Sequence, residues 1–591
     1  MMNEAENLST YAELRTAYSE KYAFFKKRYQ LIGSIRLLIF SCIAVMFFFF
    51  WGETWLLLPA GMLSVLFFYF INVSLRVKYQ RDKHKELIHI VENELAVLAG
   101  NWSAFKNGEA YKSSQHAYAL DMDLFGPKSI FQLINRTTSN AGSDLLAAHL
   151  MEGSSKAAIN SSAIEELSHQ IEWCQAFMAE AVVLKSDDDN KHLAALTRST
   201  PTLSKFDDVL RFLQPLVAIG ATLLFNFNII STTSFSIITL LLFAVIGRNF
   251  KKSTPTIAFV TSYSFKLKML QRQFEHLKKI NFQDPAVEAF QQALIQDKGF
   301  YGSIQNLGKL INGMEFRMNL LVGSVLNFFL AWDLQLLHRW NKWSHTNADK
   351  ISAWEQDMAR IEVWISLACY RFNFPSTCFA QIDPQSTTIA IKELGHPFVG
   401  AAKCVKNDFI TAENENFQII TGPNMAGKST FLRSVGLSII FANAGFPVYA
   451  KSCTIPRIKL YTSMRTSDDL NSESSYFHAE LTRLRFIMDA IEQGEPIFVI
   501  LDEILKGTNS KDKEIGSKKF LAKLNDLGTK GIIATHDLAL CELANESSQF
   551  NNQYFDSTIL LDEISFDYKI RQGICQNMNA SFLLKKMALI D

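Results

Sequence analysis

The run Phe417-Gln-Ile-Ile-Thr-Gly-Pro-Asn-Met-Ala-Gly-Lys-Ser-Thr430 constrains the fold more than any other stretch of this chain. A buried-strand signal runs into a glycine-rich turn and then a helical pattern, the order required of the G-x-x-x-x-G-K-S phosphate-binding loop, also called the P-loop or Walker A. Such a strand feeds a mostly parallel α/β sheet whose ligands sit beyond the carboxyl ends of the strands. Gly422 and Gly427 let the backbone curl so that successive N–H groups and the helix N-terminus point at phosphates. Lys428 supplies a cation for the β and γ phosphates, and Ser429 a hydroxyl for Mg²⁺. The expected ATP-binding residues are Gly422, Pro423, Asn424, Met425, Ala426, Gly427, Lys428, Ser429 and Thr430.

Further on, Ile497-Phe-Val-Ile-Leu501 is a continuous apolar run ending in Asp502-Glu503. A fully buried parallel strand reads this way. An acidic pair at its end is placed for Asp502 to hold the magnesium shell with Ser429 and for Glu503 to polarise an attacking water. The bland alternative is a surface acidic pair after a core strand. A third strand signal, Gly531-Ile-Ile-Ala-Thr535, ends in His536, whose neutral imidazole could hydrogen-bond a γ-phosphate or the water; otherwise it is an ordinary loop histidine. Lys428, Glu503 and His536 are the expected catalytic residues.

Apolar residues are abundant, 48% of the chain with 47 Phe, and much of that apolarity is concentrated in two blocks. Sixteen uncharged residues lie between Arg36 and Glu53 and twenty-two between Glu53 and Arg76; a second block runs from Phe212 to Gly247 with a polar middle at Asn226, Asn228, Ser231, Thr232 and Thr233. Each predicts a helical hairpin. Membrane spans take about 20 apolar residues, so several segments are short and would need bilayer thinning or snorkelling of flanking cations. Lys26, Lys27, Arg28, Arg36, Arg76, Lys78, Arg81, Lys83 and Lys85 flank the first hairpin, and Arg211, Arg248, Lys251 and Lys252 the second. By the positive-inside bias the termini and all long segments lie in the cytoplasm. A third apolar run, Met318 to Trp332, contains Asn319 and Asn327 and reads as a buried helix. Helical patterns also cover Val77 to Leu98 and Ser352 to Tyr370, with a change to β-rich character near Asp383 to Ile391. A net charge of +1 forces no nucleic-acid partner, and the eight cysteines show no metal-ligand spacing. No cleavable signal peptide is expected, since the first thirty residues are polar.

Several stretches together resemble the MutS ATPases of DNA mismatch repair, within the ABC-type class. Thr421 to Thr430, with its Asn424-Met425 pair, is similar to the family's phosphate loop; Ser467-Asp-Asp-Leu470 and Glu473 to Glu480 resemble its signature segment. Asp502-Glu503 with Gly507 to Ser510 resembles the Walker B and D-loop, and Ala534-Thr-His536 the switch histidine. Gly395-His-Pro397, Asn407-Asp408, Tyr568-Lys569 and Gly573 resemble the edges of that domain, and His116 to Leu150 the start of the lever. The resemblance implies a Mg²⁺-dependent ATP hydrolase with DNA binding, a homodimer whose site is completed in trans by Ser475, and no small-molecule substrate other than ATP. A mismatch-recognition domain and its Phe-x-Glu wedge are not expected ahead of the lever.

The expected architecture is a C-terminal α/β P-loop domain of ABC/MutS type preceded by a mainly α-helical lever with two transmembrane hairpins. Residues 1–33 form a cytosolic segment, 34–76 and 206–248 the transmembrane hairpins, 77–205 and 249–385 the lever, and 386–591 the ATPase domain. Expected partners are a second copy of the chain, DNA and the lipid bilayer. The leading functional reading is a membrane-anchored, ATP-driven DNA clamp related to mismatch repair. The competing one is an ABC-like membrane machine or a clamp on a non-DNA partner.

Overall fold

A computed structural model describes residues 4–49, 57–153, 159–183, 203–296, 300–400, 403–465, 476–560 and 563–576. Helices α1 (Glu4–Phe49) and α2 (Leu57–Leu98) pack along one another. Short helices α3 (Ile130–Ile134), α4 (Asn140–Glu152), α5 (Ser161–Ser168) and α6 (Ile171–Val182) follow, and then the pair α7 (Lys205–Asn226) and α8 (Thr232–Thr261). Ser204 and Asp207 form a reciprocal capping box that starts α7, and the Ser231 hydroxyl caps α8. The chain turns between them on the polar residues, with Asn228 at φ +58°. Helices α9 (Ser264–Leu277), α10 (Pro285–Gln296), α11 (Phe300–Met318) and α12 (Leu320–Leu330) lead to α13 (Trp332–Asn373).

At 42 residues and 1.5 Å per residue, α13 is about 63 Å long. Its start packs on α7, α8 and α12. At its end Asn373 accepts from Tyr11 of α1 at 2.9 Å and donates to Glu94 of α2 at 2.7 Å. The same end meets the C-terminal domain through ring contacts of Tyr370 with Phe441 and Phe374 with Tyr449, both at 5.9 Å. One helix thus bridges the α7–α8 pair and the α/β domain.

That domain contains β1 (Gln381–Ile382), β2 (Ala390–Leu394), β3 (Asn407–Ile410), β4 (Phe417–Thr421), α14 (Lys428–Ala444), β5 (Ser452–Ile455) and β6 (Lys459–Ser463). It continues with α15 (Tyr476–Glu492), β7 (Ile497–Asp502), α16 (Ser510–Asp526), β8 (Lys530–Ala534), α17 (Leu543–Glu546), β9 (Phe550–Phe555), β10 (Thr558–Leu560), β11 (Glu563–Ser565) and β12 (Ile570–Gln572). The main sheet has order β12-β9-β4-β8-β7-β6, parallel except for β12. Every residue of β4 is buried, as are the first five of β7, because helices cover both faces. On one face α14 shares a single hydrophobic core with α4, α13 and the rest of the helical region; on the other, α15 and α16 enclose a separate core.

Among the described residues, α1, α2, α7 and α8 are long and apolar enough to cross a membrane. Leu37, Phe40 and Phe48 on α1, Met62 and Val65 on α2, Leu216 on α7 and Leu240 on α8 all face outward. The third apolar run departs from the expected buried helix. Neighbouring helices cover one side of α12 only, leaving Val322, Val325 and Leu330 exposed.

Candidate nucleotide site

Three parallel strands end level with one another and carry the site. In the sheet Ile420 of β4 and Asp502 of β7 both pair with Ala534 of β8, which lies between them. Thr535 N–H donates to Ile420 O at 3.0 Å and Glu503 N–H to Ala534 O at 2.9 Å, locking the three strand ends together. The insertion of β8 brings His536 between Lys428 and Glu503. Lys428 Nζ lies 3.2 Å from His536 Nε2, and that nitrogen 3.7 Å from Glu503 Oε1.

The loop from β4 to α14 needs its glycines. Gly422 has φ +146°, and a Cβ there would meet the Phe555 carbonyl oxygen at 2.7 Å; Gly427 has φ +101° and directly precedes the first residue of α14. Both conformations disfavour any side chain. Met425 is also left-handed, and its side chain is 83% exposed. Lys428 folds back under the loop, donating to Gly422 O at 2.7 Å and Pro423 O at 2.9 Å. Burial lowers its pKa, and the Asp502 and Glu503 carboxylates offset part of that effect. His536 is held below the ordinary imidazole range by burial first and by the Lys428 charge second. It is therefore neutral near pH 7, and since a lysine ammonium only donates, Nε2 accepts from Lys428 and the ring proton sits on Nδ1. Glu503 takes φ +50° at the strand end, a conformation sparsely populated by non-glycine residues and concentrated at functional sites.

These residues line a cavity of about 980 Å³. Ser429 and Asp502 stand on its wall with Lys428, Glu503 and His536, as do Pro423, Asn424, Met425, Gly427 and Thr430. Gly422 and Ala426 are the buried backbone of the same loop. Residues 418–588 match the family model described as MutS domain V. The C-terminal domain is therefore of the MutS domain V type.

Its relatives include the DNA mismatch repair protein MutS of Thermotoga sp. (strain RQ2), 31% identical over 228 residues, covering 37% of this chain and 27% of that protein. MutS protein homolog 4 of Homo sapiens is 31% identical over 228 residues, covering 36% of this chain and 24% of its own. DNA mismatch repair protein MutS 2 of Haloarcula marismortui is 28% identical over 246 residues, covering 38% and 26%. The chain thus spans about a quarter of the length of these curated MutS relatives.

Ser475, with the preceding signature segment from Ser467, lies outside the described residues. The described part of the segment opens α15, where Glu480 is buried and accepts from Lys506 N–H at 3.3 Å. Gly507 runs so close to it that a Cβ would meet Phe477 Cβ at 2.8 Å. Asn509 caps α16 by accepting from Asp512 N–H at 2.9 Å.

Several cavity residues escaped the sequence reading as site residues. Lys506 Nζ lies 3.8 Å from Glu503 Oε2. Tyr568 stands over Gly427, with its ring 3.2 Å from where a Cβ would lie, and is tied back by Asn407 Nδ2, which donates to Tyr568 O at 2.9 Å. His396, buried against the Phe398 ring, is pushed down to about 4 by burial and then by Arg433. Asn407, Tyr568 and His396 fell in stretches resembling the family's domain edges, but their convergence over the phosphate loop is tertiary. For Lys506 a lysine three residues after Glu503 was the available signal, and it is a common one.

The helical region is also fastened to the α/β domain at the end of β6 and on α14. Asp121, buried between the two units, accepts from Thr462 Oγ1 at 2.6 Å and from the backbone N–H groups of Met464 and Arg465 at 3.2 and 2.9 Å. Its carbonyl accepts from Arg433 of α14 at 3.1 Å. Among the described residues no cluster of three or more His, Cys, Asp or Glu could by itself hold a metal ion. Magnesium at nucleotide sites takes one or two protein groups and completes its shell with phosphates and water, so the Ser429 and Asp502 pair fits that ion.

Proposed function

We propose that this chain is a membrane-anchored ATP hydrolase of MutS type that couples nucleotide-driven closure of two ATPase domains to movement of its helical arms around DNA. The observation that carries the reading is the convergence of Lys428, at the start of α14, with His536 and Glu503, at the ends of β8 and β7, beside a glycine cradle in a domain matching MutS domain V. In this reading the loop Gly422 to Thr430 wraps the ATP phosphates with backbone N–H groups, and Lys428 exchanges its loop carbonyls for the β and γ phosphate oxygens. Ser429 and Asp502 hold magnesium, which neutralises phosphate charge. Glu503 orients and polarises the attacking water, and His536 bonds the water or the γ-phosphate through its neutral ring. Ser475 of a second copy completes the site, so hydrolysis depends on dimerisation. Because α13 links the α/β domain to the α7–α8 pair, a change in head separation is passed along a single helix to the opposite end of the molecule.

The two helix pairs α1–α2 and α7–α8 are proposed as the membrane hairpins. Their outward apolar side chains form surfaces of the length and character that lipid covers favourably. These helices also favour a second reading, in which the same clamp acts at the membrane on a non-DNA partner. One experiment separates the two: ATP-modulated binding of the detergent-solubilised protein to matched, mismatched and branched DNA at low salt, where phosphate contacts are strongest. ATP-dependent binding supports the DNA clamp, and no binding at low salt overturns it. For the chemistry, Glu503→Ala is expected to abolish turnover and accumulate an ATP-bound dimer. Hydrolysis at the parent rate would remove the water-activating role.

A further inference from the structure

The 318–332 run has no charged residue and is divided among α12 and its two flanks. One side of α12 is fixed to the α7–α8 pair: Gln214 Nε2 donates to Asn327 O at 2.6 Å, and the rings of Phe328 and Phe243 are 5.7 Å apart. Its base is tied by a buried polar cluster. Asp333 accepts from the Arg317 guanidinium at 3.1 Å and from Asn327 Nδ2 at 2.9 Å, while Arg317 also donates to Thr254 at 2.8 Å. The chain leaves α12 through Ala331, held at φ +47°, and enters α13. The other side of α12 is left open among the described residues: Val325 is 58% exposed, and Val322, Leu330 and Met318 are exposed beside it.

That apolar face continues the exposed apolar surfaces of α7 and α8. Gln214 lies seven residues along α7 from Asp207, and Phe243 five residues along α8 from Arg248, and Asp207 and Arg248 form an ion pair at 2.9 Å. At 1.5 Å per residue, α12 touches the hairpin about 7 to 10 Å on the apolar side of that pair. A charged pair of this kind belongs at the headgroup level, and an interfacial helix seats its apolar face roughly 5–10 Å into the headgroup and acyl boundary. We propose that α12 is a third membrane contact, an interfacial helix embedded in the lipid leaflet that adjoins the Asp207–Arg248 pair. The start of α13 is thereby held at the bilayer surface, so that the helix running to the ATPase domain is anchored in lipid and not only by the hairpin. The inference rests on the reading of α7–α8 as membrane-spanning.

The test uses the full-length protein with the exposed Cys42 replaced by Ser, reconstituted in phosphatidylcholine and phosphatidylglycerol vesicles. An environment-sensitive fluorophore is placed at Val325→Cys, Val322→Cys, Leu240→Cys on α8 or Lys519→Cys on α16, and each labelled protein is required to retain ATP turnover. Nitroxide lipids carry the quencher near the headgroup or near the chain terminus. The probes at 325 and 322 are expected to be quenched at least about twofold more by the shallow nitroxide than by the deep one, given the depth of an interfacial helix. The probe at 240 should show the reverse order, and that at 519 neither. If 240 is quenched while 325 and 322 are not, the inference is overturned and the hairpin stands. Quenching of 325 and 322 mainly by the deep nitroxide overturns the interfacial placement. If none is quenched, the hairpin reading itself fails and this one with it.

Discussion

Two buried cations, Arg136 and Lys428, sit in the two halves of the molecule and are treated in opposite ways. Arg136, between α2 and the end of α13, is fully occupied: its guanidinium meets both oxygens of Glu94, donates to Leu133 O and Asn135 O, and lies 3.7 Å from the centre of the Phe105 ring. Burial acts to lower its pKa, but the Glu94 carboxylate outweighs it and the net shift is upward. Lys428 is nearly as buried, yet it bonds two loop carbonyls and a neutral histidine, and its pKa is lowered. A cation with a carboxylate partner holds helices together; one without it keeps its charge available for an anion. The difference separates a structural ion pair from a binding site more clearly than burial does.

Breaking the structural pair is expected to have the largest effect. Glu94→Ala leaves Arg136 buried without its counter-ion, and loss of one partner of a buried pair costs about 3–5 kcal/mol; denaturant unfolding should show it as a lowered midpoint together with loss of ATP turnover. Lys428→Ala should do the opposite. Turnover falls by at least about a hundredfold, the scale of removing a charge-stabilising donor, while the unfolding midpoint stays near that of the parent, because the charge removed was one that burial already disfavoured. An equally large stability loss in both variants would erase the contrast.

Acidity should produce a smaller effect and should separate the same two sites. The folded-state pKa of His536 lies below its ordinary 6.5, so turnover is expected to be level from pH 8 to about 6.5 and to fall below that as the ring gains a proton beside Lys428. The unfolded chain takes up this proton first, so the same group also weakens folding as pH falls through 6.5. His536→Asn should lower turnover and remove the acidic limb of the rate profile; a limb that persists assigns it to another group. The smallest change is expected from Asn407→Ala, which frees the Tyr568 backbone above Gly427. It should raise KM for ATP severalfold, on the scale of the two lost hydrogen bonds, to Tyr568 O and from Ile570 N–H, with kcat nearly unchanged.

Much of the candidate nucleotide site could be read from local spacing. Gly422, Gly427, Lys428 and Ser429 fall on one loop because a strand, a turn and a helix succeed each other within fourteen residues, from Phe417 to Thr430. Asp502 and Glu503 follow an apolar strand for the same local reason. Tyr568 and Asn407 were not legible as cavity residues, because their positions depend on how distant loops close over β4, and Lys506 carried only the common signal of a lysine shortly after an acidic residue. The apolar run at 318–332 was misread as buried, since composition reports that a helix avoids water and not whether protein or lipid covers it. The length of α13 was also hidden. Its first half, Trp332 to Lys350, mixes charges with tryptophans, and the pattern became clear only around Trp354 to Ile365.

The sequence by itself determined the glycine-rich loop between β4 and α14, the acidic strand end and the helices with charge-free stretches, since each is encoded by residues close along the chain. Only the tertiary structure decided that β8 enters between β4 and β7 and so places His536 between Lys428 and Glu503. Strand order is set by non-local pairing, and a parallel strand can join the sheet on either side of its predecessor without any change in local pattern. The partnership of Glu94 with Arg136 was decided in the same way, by the packing of the segment after α3, which carries Arg136, against α2 and α13. That packing turns Arg136 into a fastening, whereas Lys428 meets only loop carbonyls and a histidine, as the proposed phosphate-binding role requires.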